Sequence, residues 1–197
     1  MPKVTEEYRI ARRQEIADAA LRAFRRKGFH ATSMAEIITE SGLSAGAIYG
    51  HFPSKDALVM EVATRIIDGR VADIEHLAEL DPMPAPPTLP RVLVEGMQQE
   101  LASPGVMLQL WGEAVTDPTV RELAGSVVTR LRAVVGRYVS LWQQRQHGRS
   151  PDEADALGAE QAVLFVAAVQ SYIVQASLVP DFDGEGYLRS QEKYLPR

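Results

Sequence analysis

The chain has no cysteine among its 197 residues, which excludes a disulfide framework, thiolate metal ligands and a cysteine nucleophile. It lacks any strand-like alternation of apolar and polar residues, and no segment repeats, so helices are expected throughout. An overall basic balance is also missing: 21 Lys and Arg stand against 26 Asp and Glu, a formal charge of −5. The opening "MPKVTEEYRIARRQ" is charged where a secretory signal would be apolar, so the expected location is cytoplasmic. The longest mostly apolar stretch, "AVLFVAAVQSYIVQASLV" at 162–179, approaches the ~20 residues of a membrane helix. Gln170, Ser171, Gln175 and Ser177 interrupt it, and a helix buried on both sides within protein is expected instead of a membrane partner. Catalytic groupings are absent as well. His30, His51, His76 and His147 are scattered, and His76 with Glu79 at i, i+3 reads as a solvated helix face rather than a metal site. Neither an enzyme nor a cofactor or metal is expected.

What is present is unevenly charged. Residues 1–56 hold nine Lys and Arg against seven Asp and Glu, leaving twelve against nineteen in 57–197. A slightly basic front on an acidic body points to a localised polyanion contact. The 46% hydrophobic and 24% charged content is that of an ordinary globular chain.

The periodicity predicts an all-α fold of about nine helices. The first runs from about Thr5 to Lys27 with Ile16, Ala20, Leu21 and Phe24 on one face, and Gly28 stops it. Ser33 and Glu36 form a capping box for a short helix near Met34; Gly42 ends it, and Ser44 caps the next. Two short helices joined by a turn with a central glycine make a helix-turn-helix. Ile48 and Phe52 belong to its core. Ser54 caps a long helix to about Leu80, and "DPMPAPPTLP" at 81–90, with five prolines, reads as a semi-rigid surface connection without regular structure. Ser103-Pro104, Asp117-Pro118 and Ser150-Pro151 each place a cap before proline at a helix start. The helix from Pro118 reaches Gly148, the next fills about 152–179, and a short one covers 185–195.

In order and spacing, "IADAALRAFRRKGFHATSMAEIITESGLSAGAIYGHFPSKDAL" resembles the tetracycline-repressor (TetR) family of one-component transcriptional regulators. The likeness is strongest over residues 10–58, through "KGF", "TSM.EI", "SGLS.GAIY.HF" and "SK..L"; "LQLWGEAVTDPTVREL" at 108–123 is similar to a common opening of the family's regulatory half. The resemblance implies a helix-turn-helix DNA-binding domain over 1–55 and a helical ligand-binding and dimerisation domain over 56–197. It implies a homodimeric repressor that binds a palindromic double-stranded operator and leaves it when a small-molecule effector binds. It also implies that the two long C-terminal helices of each subunit form a four-helix dimer interface.

Carried over residue by residue, the likeness makes Tyr49, His51 and Lys55 phosphate contacts, with Thr32 and Ser33 where the second helix's N-terminus faces the DNA backbone. Helix N-termini do attract anions, and such contacts position rather than specify. Ser44, Ala45, Gly46 and Ala47 fall where the family reads bases. Only Ser44 can hydrogen-bond, so readout is expected to be sparse and apolar, helped by operator shape. Arg25, Arg26 and Lys27 read as a solvated helix face; Arg12 and Arg13 fit either a solvated face or DNA contacts, and Lys3 and Arg9 stay open as minor-groove or phosphate contacts. For the effector, a site among the helices between residues 90 and 180 is expected, with Met97, Leu108, Trp111, Tyr138, Trp142 and Phe165 as candidate lining and Glu113 and Gln170 as polar contacts. The rival reading is a helical small-molecule-binding protein with weak or lost specific DNA binding.

Overall fold

Side-chain caps set where the helices begin. The computed structural model describes residues 5–101 and 103–197. The Thr5 hydroxyl accepts the Tyr8 N–H at 3.3 Å and opens α1 (Glu6–Lys27), whose first turn is acidic and last turn basic, as the helix dipole favours. At Ser33 the hydroxyl accepts the Glu36 N–H at 3.3 Å while the Glu36 carboxylate accepts the Ser33 N–H at 2.8 Å, opening α2 (Met34–Ser41). Gly42 then turns the chain with φ of 68°, a conformation side chains rarely adopt. The Ser44 hydroxyl accepts the Ala47 N–H at 3.3 Å at the start of α3 (Ala45–Tyr49), and the Ser54 hydroxyl does the same for Ala57 at 3.1 Å ahead of α4 (Lys55–Glu79). Beyond lie α5 (Leu89–Glu100), α6 (Gly105–Thr116), α7 (Pro118–His147), α8 (Pro151–Leu178) and α9 (Gly184–Tyr194). Among the described residues there are nine α-helices and no strand.

The chain divides into two compact units, one ending at Arg65 and one spanning Ile66–Arg197. From the sequence alone a boundary falls at 55/56, where α4 begins; the units divide later, inside α4. The first turns of α4 are tied to α1, through Glu61 to Arg13 and through Arg65 to Asp18 at 2.5 Å. The first unit closes over Ile16, Ala20, Phe24, Phe29, Ile37, Ile48, Phe52 and Leu58, all buried, with Phe24 and Phe29 edge to face at 5.6 Å.

In the second unit α7 and α8 pack antiparallel at very close range. A β-carbon on Gly158 would fall 2.3 Å from the Gly136 carbonyl oxygen, so glycine is required for the backbones to approach. One turn away the Ser140 hydroxyl donates to Asp155 at 2.5 Å. Asp117 caps α7 through the Thr119 and Val120 N–H groups at 2.7 and 3.0 Å, and the Glu153 carboxylate accepts the Ser150 N–H at 3.2 Å at the start of α8.

Three expectations change. The segment 81–90 is no surface connection: Met83, Pro86, Pro87, Leu89 and Pro90 are buried, Pro86–Thr88 form a 3-10 turn, and Leu89 and Pro90 open α5. Clustered prolines disfavour a mid-helix but suit a helix's first turn. At 103–104 the helix starts one residue late, at Gly105, with the Ser103 hydroxyl accepting the Gly105 N–H at 3.2 Å. Finally, α8 is long and apolar enough to cross a membrane by length and composition, but within a single chain only one side of it is buried. Phe165, Val166, Val169, Tyr172 and Ile173 pack inward, while Val163, Leu164, Val174 and Leu178 are exposed.

Candidate nucleic-acid interface

The α2–turn–α3 unit offers a small, uncharged face. Ser44, Ala45, Gly46 and Gly50 are exposed, Ala47 is half-buried, and Tyr49 projects with 49% of its surface accessible. On the other side of the same short helix Ile48 is fully buried and anchors it, as does Phe52 just beyond. Nothing lies within 4 Å of where a β-carbon on Gly46 would sit. The chain's own packing therefore does not demand glycine there, although glycine weakens a helix.

Thr32 and Ser33 stand beside the start of α2 with different roles. Thr32 is buried, its hydroxyl donating to the Gly28 carbonyl at 2.7 Å; its side chain ties α1's end to the loop and does not face outward. Ser33 is exposed, but its hydroxyl and N–H are both engaged by Glu36. Glu36 is held down to about 2, chiefly by the hydrogen bond from Lys27 and then by the Ser33 N–H and hydroxyl. A carboxylate thus already occupies part of the positive N-terminus of α2.

Lys55 and His51 are similarly anchored. The Lys55 ammonium donates to the Phe29 and His30 carbonyls at 3.3 and 3.4 Å and lies 4.7 Å from the centre of the Phe29 ring. That uses two of its three N–H groups. His51 is half-buried, and its carbonyl accepts from Arg13 at 3.1 Å.

The basic faces of α1 stay exposed, at Arg26 and Lys27 among others, and several of their cations carry surface ion pairs. Arg22 and Arg26 both grip Glu40 of α2, at 2.8 and 2.7 Å, and Lys27 pairs with Glu36. Glu40 is pushed below the usual carboxylate range by Arg22 first and Arg26 second. Arg12 is bound by Glu15 at 2.6 Å and by the Tyr8 hydroxyl, while Arg13 spans Glu61, His51 and the face of the Phe52 ring. Arg13, Arg22, Arg26 and Lys27 thus pair at the surface with acidic side chains of α2 and α4, distant in sequence, while Arg12 pairs within α1. Arg9 is exposed and 3.6 Å from Glu6; Lys3 lies outside the described residues.

The eight candidate effector contacts all fall in the second unit, in different settings. Tyr138 and Phe165 are core residues, 1% and 0% exposed, and Trp142 is buried with its ring edge-on to His147 at 5.0 Å. The Tyr138 hydroxyl donates to the Pro84 carbonyl at 2.7 Å, and burial pushes it up to about 12 against the opposing pull of Arg145. Met97 is buried; Leu108, Trp111 and Gln170 are half-buried. Glu113 is half-buried too, and its Oε2 is enclosed without a hydrogen-bond partner among the described residues. A cleft on α7 and α8 lined by Arg132, Ala133, Gly136, Arg137, Asp155 and Ala159 contains none of the eight. The sequence pattern gave no sign of Arg70, which is buried with two unpartnered nitrogens, because mid-helix arginines are usually solvated. No group of His, Asp and Glu able to hold a metal ion occurs among the described residues, and His76 and Glu79 are highly exposed.

Residues 16–62 match the family model for bacterial regulatory proteins of the tetR family. The chain is 36% identical over 78 residues to the uncharacterised HTH-type transcriptional regulator YfiR of Bacillus subtilis, covering 40% of this chain and 38% of that protein. It is 28% identical to the HTH-type transcriptional regulator TtgR of Pseudomonas putida, over 92% of this chain and 87% of that one. Four curated relatives, YfiR among them, are matched over only 24–38% of their own length. A crystal structure described as a TetR-family transcriptional regulator from Mesorhizobium loti superposes with a TM-score of 0.71 at 22% identity, covering 94% of this chain and 93% of that chain. At that identity the likeness is one of fold.

Proposed function

Because the chain belongs to the TetR family of bacterial regulatory proteins, we propose that it is a ligand-responsive transcriptional regulator. In this reading it is a cytoplasmic repressor, not an enzyme, that binds a palindromic operator as a homodimer and is released by a small molecule. The carrying observation is the exposed Ser44–Tyr49 face on a short helix capped at Ser44 and anchored by Ile48. Ala45 and Ala47 offer methyl groups to thymine methyls, and the open space over Gly46 lets the helix backbone come close to base edges. Tyr49, His51 and the spare N–H of Lys55 hold phosphates, with exposed Ser33 beside the start of α2.

The exposed apolar positions Val163, Leu164, Val174 and Leu178 on α8 suit a second copy of the chain. The effector binds within Ile66–Arg197, and α4, which begins in the first unit and ends in the second, carries its differential binding energy to the reading head.

A gel shift on DNA flanking the chain's own gene, titrated with salt, tests the reading. A specific shift at low salt that Tyr49→Ala weakens is expected. Since so many cations are already paired, the salt dependence should be shallow, with about 0.9 in log–log slope for each phosphate neutralised. Absence of any specific shift would leave the rival, a helical small-molecule-binding protein, which the same internal pairing of cations favours. Sedimentation that found only monomer at micromolar concentration would end the dimer proposal.

A further inference from the structure

The second unit buries a cation that the described residues do not fully satisfy. Arg70 of α4 is 9% exposed. Its Nη2 lies 3.1 Å from Asp73 Oδ2, but Nε and Nη1 are enclosed without a hydrogen-bond partner among the described residues. The guanidinium rests directly on α5 at Gly96, where a β-carbon would fall 1.6 Å from Nη1 and 2.3 Å from Cζ. Its position therefore exists only because residue 96 has no side chain. Gly96 belongs to the buried face of α5 with Leu93, Val94 and Met97.

Each feature is unfavourable alone. A buried guanidinium with open N–H groups has lost water without gaining a full replacement, and glycine inside a helix weakens it. Both occur at one place beside an apolar helix face. The missing component is an acceptor. Asp73 is substantially exposed and already supplies one negative charge nearby, which disfavours a dianion and suits a singly charged group.

We propose that Arg70 is the recognition residue for a small organic carboxylate with an apolar body. The carboxylate accepts from the open guanidinium N–H groups, the apolar part lies along the buried face of α5, and Gly96 is the specificity-determining space that keeps the guanidinium there. This rests on the effector reading above and gives the effector its chemical class.

Thermal unfolding of the full chain with octanoate, 1-octanol, octylamine or inorganic phosphate, at equal concentration and ionic strength, tests it. Octanoate should raise the wild-type Tm by several degrees, well beyond octanol, with no gain from octylamine or phosphate. Arg70→Met should erase the difference between octanoate and octanol while its own ligand-free Tm is no lower than wild type. Gly96→Ala, which displaces the guanidinium but keeps its charge, should shrink the octanoate shift. Equal effects of octanoate and octanol, no octanoate effect, stabilisation by phosphate instead, or a ligand-free Arg70→Met Tm well below wild type would each overturn the proposal. The gel shift separates the two readings. An octanoate shift that needs Arg70 in a chain without specific DNA binding sinks the regulator reading alone; specific DNA binding with no octanoate effect sinks the carboxylate site alone.

Discussion

Both units have a buried core and pair charges between helices across the surface, as Arg91 of α5 does with Glu185 and Glu192 of α9, but they differ in their closest helix contacts. In the first, Arg22, Arg26 and Lys27 of α1 reach Glu36 and Glu40 of α2 across the surface, and Arg13 and Asp18 reach α4 in the same way. In the second, α7 and α8 meet backbone to backbone at Gly136 and Gly158, and a buried tyrosine hydroxyl fixes the proline-rich segment. Surface pairs are weak, salt-sensitive and adjustable; close-packed contacts are strong and unforgiving. In the proposed function, a first unit that fits DNA and a second that holds a ligand site have opposite mechanical needs, and these contacts suit them.

Gly158→Val attacks the comparison where the effect is largest. With a β-carbon already colliding with the Gly136 carbonyl, forced separation of α7 and α8 should cost about 3 kcal/mol, read as a lower urea midpoint. A loss below about 1 kcal/mol would mean the helices are free to part. Tyr138→Phe should cost about 1–2 kcal/mol by leaving the Pro84 carbonyl unsatisfied, and the loss should not change with salt. Gly46→Ala has the opposite sign. Open space around the site should let the first unit gain on the order of 0.5 kcal/mol, while operators selected from random DNA change. Unchanged operators would remove Gly46 from the interface.

The smallest effect concerns pH. Glu36 sits lower folded than unfolded, so its contribution is present above its ordinary value near 4.5 and is lost as pH falls toward about 2. Glu36→Gln should therefore flatten acid unfolding of the first unit in that window and leave stability near pH 7 only slightly reduced. Far-UV circular dichroism during acid titration reads this; equally steep curves for both proteins would show that the Lys27–Glu36 pair contributes nothing.

Much of the helical layout was legible in the sequence because helix starts are local. Ser33, Ser44 and Asp117 cap N–H groups two or three residues away, and the Glu153 carboxylate accepts the Ser150 N–H and hydroxyl three residues back, so the pattern and the structure agree there. The core positions Ile16, Ile48 and Phe52 follow from periodicity for the same reason. The site was legible only in part. Thr32 and Ser33 sit beside the helix N-terminus as expected, but which of them faces outward depends on the Gly28 carbonyl, which the turn brings to Thr32. The surface pairing of Arg26 and Lys27 was not legible, because Glu40 and Glu36 become their neighbours only when α2 folds back on α1.

The sequence alone thus determined the all-α class, the capped α2–turn–α3 frame and the sparse lettering of the reading face, since all three depend on neighbours within a few residues. Only the tertiary structure decided which cations are already paired, that prolines 86, 87 and 90 are buried, and that Arg70 rests on Gly96 with open N–H groups. Those facts depend on long-range approach between helices, where burial rather than local pattern sets the energy of each charge.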